Sequence, residues 1–164
     1  EEIEAPSEIV VEEEFDLEKE VCLIQLTDAS WIKENLSEVH ALSDKCKENL
    51  MASLKNNALK YPKMLASIDA VNYHSQGYIK EEVWYIMQAV YEKNLPGLAT
   101  YLNENQNGTL AESLMTALSM TTAEDSPDLV EERFVNRINA EIKDEKTKQY
   151  MLSLKPLYNF QMFN

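Results

Sequence analysis

Glycine, cysteine and histidine are scarce in this chain of 164 residues, and each shortage excludes something. The glycines Gly77, Gly97 and Gly108 stand alone, so no glycine-rich loop exists to cradle a phosphate, and none is followed by Lys-Ser/Thr. Few glycines and few β-branched runs also argue against a sheet-based fold. The two cysteines, Cys22 and Cys46, fit no Cys-x-x-Cys redox or zinc pattern. They are too few for a disulfide-built scaffold, and whether they form one bridge is left open. The histidines are His40 and His74, and neither has a glutamate three residues before it, so the Glu-x-x-His pair of di-iron bundles is missing. His40 and Asp44 lie one helical turn apart, but two ligands do not close a metal site. His74 reads as a helix-end residue. There is no Gly-x-Ser-x-Gly elbow and no Cys-His pairing to activate a nucleophile. We therefore expect no metal, no cofactor and no enzymatic activity.

Long apolar runs are missing too. None approaches the roughly 18–20 residues that cross a bilayer, so the chain reads as soluble. Clustered Lys and Arg are lacking, which disfavours direct binding to nucleic acid. A start at Glu1 fits a mature or trimmed chain, and an exported protein with its signal removed is one reading of its localisation. Asn35-Leu36-Ser37 and Asn107-Gly108-Thr109 match the N-glycosylation pattern, a triplet that chance produces often.

What the chain does have is acid, unevenly placed. Of the net charge of −14, residues 1–20 carry −9, ten acids against Lys19 alone, which leaves −5 for residues 21–164. Residues 1–15 read as a flexible acidic arm, and residues 16–164 as one folded domain. Ile9, Val10, Val11 and Phe15 thread apolar bulk through the arm, which makes it a candidate docking peptide. Its candidate binding residues are Glu12, Glu13, Glu14 and Phe15.

The remainder carries helical periodicity. A long amphipathic helix is expected over 30–59, with Ile32, Leu36, Val39, Ser43, Cys46, Leu50 and Leu54 on one stripe. Cys46 reads as a small buried hydrophobe. Pro62 suits the start of a helix through Met64, Leu65, Ile68 and Val71, which Gly77 ends. The next stretch, 78–94, places Ile79, Val83, Ile86, Met87 and Val90 on one face and has few positions that want water, so it is expected at the centre. Leu95-Pro96-Gly97 reads as a turn in which Pro96 can start a short helix through Leu98, Tyr101 and Leu102, and 103–108 reads as a loop. Thr109 is a candidate N-cap with Glu112 at its capping-box position. Ser126-Pro127 is the cleanest start signal, ahead of Val130, Phe134, Ile138 and Ile142 at four-residue spacing. A last helix through Tyr150, Met151 and Leu154 stops near Pro156, and the apolar residues after it are expected to fold back.

These elements predict an all-α, single-domain bundle of six or seven helices. Trp84 with Tyr73, Tyr78, Tyr85, Tyr91 and Tyr101 forms an aromatic region. Core packing is the first expectation for it, and an aromatic pocket near Trp84 for a peptide or small molecule is the second. The functional expectation is a non-enzymatic helical interaction module, an inhibitor or adaptor, whose arm docks on the basic surface of another protein. An exported or surface-anchored domain with a linker leader, and a small-molecule binder, are the alternatives.

Overall fold

The computed structural model describes residues 43–60, 64–73, 75–121 and 126–155. They form seven helices and, among the described residues, no strand. In chain order these are α1 (Asp44–Lys60), α2 (Leu65–Tyr73), α3 (Tyr78–Lys93), α4 (Leu95–Glu104), α5 (Leu110–Thr121), α6 (Pro127–Glu141) and α7 (Glu145–Ser153). The all-α expectation holds. The acidic arm, both histidines, Pro62 and the apolar C-terminal residues lie outside the described residues, as do residues 30–42 of the expected long helix.

Helix α3 is the hub. It packs against α5, α1, α4 and α2, while α7 lies on α4 and α6. The five residues of its expected inner face, Ile79, Val83, Ile86, Met87 and Val90, are all buried. Burying an aliphatic side chain of this size stabilises by about 1.5–3 kcal/mol, so this face is a large part of what the fold gains. Leu114 and Met115 of α5 and Leu50, Met51 and Leu54 of α1 belong to the same buried cluster.

Helix boundaries follow from caps. Ser126 accepts from the Leu129 amide at 3.2 Å, and Asp144 accepts from the Thr147 amide at 2.9 Å and its hydroxyl at 2.8 Å. Those bonds hold the Asp144 carboxyl below its ordinary range, the backbone bond contributing most. Val130, Phe134, Ile138 and Ile142 are buried as their spacing requires.

Two expectations need correction, and one open question is answered. The helix expected to run through Ser43 instead begins at Asp44: the exposed Ser43 is its cap, with its hydroxyl accepting from the Cys46 amide at 3.2 Å. A Ser with a free turn ahead of it gains more by pairing an orphan N–H than by lying on a stripe. The short helix expected from Pro96 is present, but Leu95-Pro96-Gly97 is its first turn and not a separate turn ahead of it. Asn94 makes this possible, since its side chain accepts from the Gly97 amide at 3.1 Å while its own amide donates to the Val90 carbonyl at 2.7 Å. Pro96 then sits in the first turn, where its missing N–H costs nothing. Cys46 is buried as expected, 1% exposed, and it is disulfide-bonded, which the sequence left open.

Candidate functional site

A cavity of about 470 Å³ lies between α2 and the turn that joins α4 to α5. Ala66, Asp69, Ala70 and Tyr73 line it from α2, Tyr101 and Glu104 from α4, and residues 105–109 from the turn. Its volume falls within the range of ordinary ligand pockets. Two tyrosines and two carboxylates face it, and among the described residues no Lys, Arg or His does.

Asp69 builds this corner. Its Oδ1 accepts from the Thr109 amide at 2.9 Å and from the Thr109 hydroxyl at 2.6 Å. Its Oδ2 accepts from the Tyr101 hydroxyl at 3.1 Å. One carboxylate on α2 thus ties down both the start of α5 and the middle of α4. Burial, and then the negative charge of Asp69, push the Tyr101 phenol far above its ordinary range, so Tyr101 is held as a donor. The Thr109 amide is the group that Glu112 would have satisfied in a capping box. Asp69 takes that role from another helix.

Behind Asp69 the network continues inward. The buried Asn72 donates to the Thr109 hydroxyl at 2.7 Å and the Ser113 hydroxyl at 3.1 Å. The Ser75 hydroxyl donates to the Asn72 carbonyl at 3.0 Å. Asn72, Ser75 and Ser113 are therefore buried polar residues with partners, as a stable interior demands. Gly108 completes the corner by absence. A Cβ there would collide with Asp69 Oδ2 and crowd the Asn105 carbonyl, so only glycine lets the turn close over the carboxylate. Its amide donates to that same carbonyl at 3.0 Å.

The aromatic region divides into two populations. Tyr91 is buried, stacked on Phe134 with centroids 6.3 Å apart and planes 11° apart. Tyr73, Tyr78 and Tyr85 are exposed, at 65%, 43% and 51%. Core packing, the first expectation for the group, therefore fails for these three. They occupy the outer flank of their helices, where a phenol can keep its hydroxyl in water. Trp84 is half-buried on α3 and does not line the cavity. Glu12, Glu13, Glu14 and Phe15 lie outside the described residues.

The residues that sequence reasoning passed over are Asp69 and Glu104. One signal was available: Asp69 is the only charged residue in Leu65–Tyr73, an otherwise uncharged helix. A lone charge on such a segment needs a partner, and here the partner is 40 residues away. Among the described residues, no three His, Cys, Asp or Glu side chains gather as metal ligands, and no helix is long and apolar enough to cross a membrane.

Compared with protein-family models, with curated proteins and with solved structures, the chain matches none.

Proposed function

We propose that this chain is a non-enzymatic helical interaction module that docks on a basic surface of another protein. The observation that supports it best is the cavity, which concentrates Asp69 and Glu104 beside two tyrosines, with no cation among the described residues of its lining. The distribution of charge agrees. The described residues hold 14 acids and 12 bases, a net of −2, while residues 1–20 carry −9. A near-neutral body with a strongly acidic leading segment suits long-range attraction by the segment and short-range recognition by the body.

The test compares the intact chain with one lacking residues 1–20 in capture from native lysate at low and high salt, followed by titration of the captured partner. A basic partner, held at low salt and weakened by the deletion, is the expected result. Binding that is indifferent both to salt and to the deletion would sink the reading.

A second reading, an exported or surface domain, is favoured by one observation: Cys46 is disulfide-bonded. Such bonds persist in oxidising compartments and are rare in the cytosol. Fractionation of the full-length precursor is the check, and purely cytosolic protein with reduced thiols would rule this out. The two readings are compatible.

A further inference from the structure

Of the two Asn-x-Ser/Thr triplets, Asn35-Leu36-Ser37 lies outside the described residues, and Asn107-Gly108-Thr109 forms the end of the turn between α4 and α5. Chance supplies such triplets, so the fold has to discriminate. A glycan is bulky and hydrated, and only a surface asparagine carries one without disturbing its surroundings. Asn105, Gln106 and Asn107 place amide side chains at successive positions of the turn. Asn105 Nδ2 donates to the Tyr101 carbonyl at 2.8 Å, and Gln106 Nε2 donates to the Asn103 carbonyl and to its Oδ1, each at 3.1 Å. Both fasten the end of α4. Asn107 is exposed, and its side chain makes no hydrogen bond among the described residues.

The other two members of the triplet have duties of their own. Gly108 lets the turn close over Asp69, and the Thr109 amide and hydroxyl both donate to that carboxylate. The fold therefore accounts for Gly108 and Thr109 and leaves Asn107 without a structural task. A second observation comes from elsewhere in the chain. Cys46 is disulfide-bonded, which assigns the protein to an oxidising compartment, the setting in which exported chains receive N-linked glycans.

We propose that Asn107 is an N-glycosylation site. This inference rests on the exported-domain reading and adds a modification to it. The donor is an oligosaccharide linked to a lipid diphosphate. A bond forms between Asn107 Nδ2 and the anomeric carbon of the first sugar, and the bond from that carbon to the diphosphate breaks. The lipid diphosphate leaves, one amide proton is released, and nothing is oxidised or reduced. Transfer precedes closure of the turn, because the Thr109 hydroxyl that the transferase reads is committed to Asp69 at 2.6 Å once the chain has folded. Asn107 also lines the cavity, so the glycan stands at its rim, and docking through the cavity belongs to chains on which the site is unfilled.

The protein is purified from fractionated native material, its free thiols are alkylated, and the peptide containing Asn107 is analysed by mass spectrometry. Half of the sample is first treated with peptide N-glycosidase in heavy-oxygen water. The expected result is a glycopeptide at Asn107 that the enzyme converts to a heavy-oxygen-labelled aspartate. The untreated half separates this from spontaneous hydrolysis at the Asn107-Gly108 step. Asn107→Gln in the full-length precursor should lower the apparent mass by roughly 2 kDa, and it should unfold at the same midpoint as the enzyme-treated parent because the side chain holds nothing in place. Protein with Cys46 oxidised and Asn107 bare, or with a glycan on Asn35 alone, overturns the proposal and leaves the exported-domain reading standing. Cytosolic protein with reduced thiols overturns both.

Discussion

The hub helix and the cavity corner are held together by opposite means. Around α3 the contacts are apolar, with Ile79, Val83, Ile86, Met87 and Val90 all buried. At the corner, Asp69, Asn72, Thr109 and Ser113 join α2 to α5 through directed hydrogen bonds. Apolar packing is non-directional and scales with area, so loss of one side chain subtracts from a sum. A polar network depends on every member, because a donor stripped of its acceptor keeps its desolvation cost. The cavity lies at the second kind of joint, where the geometry is fixed by few groups.

Substitutions can break that contrast. The largest effect is expected from Ile86→Ala, which removes a fully buried side chain from the hub and should cost about 2–5 kcal/mol in denaturant unfolding. A cost near zero would mean that α3 is not the hub. Asp69→Ala should follow at about 1.5–3 kcal/mol, since it strands the Thr109 amide and hydroxyl and the Tyr101 hydroxyl together. Asp69→Asn, which keeps an acceptor for the Thr109 amide, should recover part of that loss. If both behave as surface changes, the corner is held by something other than its network. Ser126→Ala should cost about 1 kcal/mol through the lost N-cap of α6, a local effect that belongs to neither region. The smallest is Glu112→Ala, expected within about 0.5 kcal/mol because Asp69 has taken the role that a capping box would give Glu112. A larger loss would return Glu112 to the cap. All five substitutions are read from the midpoint and slope of the same urea transition.

The order of these effects does not follow what was legible in the sequence. The buried faces of α3 and α6 are periodic within a single helix, so Ile86 and Phe134 could be placed by counting. Ser126-Pro127 is a contiguous signal and was equally readable. Two local signals misled because competing ones were stronger. Pro96 can begin a helix, but that Leu95 and Gly97 belong to its first turn shows only in the Asn94 side chain on the Gly97 amide. Ser43 fits the amphipathic stripe that continues past it, and its cap to Cys46 is a matter of where the chain enters. The corner was out of reach for a different reason. Asp69 and Thr109 are 40 residues apart and Asn72 and Ser113 are 41 apart, so their pairing exists only once α3 and α4 have folded between them. The tyrosines could be listed as a group, but which of them turn outward depends on the same tertiary arrangement.

Asn94 has a consequence for how this chain can change in length. A single residue ends one helix and begins the next, so the joint between α3 and α4 contains no slack. Each residue of an α-helix turns the chain by about 100°, so one inserted residue extending the end of α3 would swing α4 and everything after it by nearly a third of a revolution. Tyr101 and Glu104 would leave the cavity wall together. The 105–109 turn, by contrast, lies at the surface, and an added residue at its exposed tip would leave the helices on either side in place. Natural variants of this protein should therefore differ in length at the turn and keep a fixed count across the elbow.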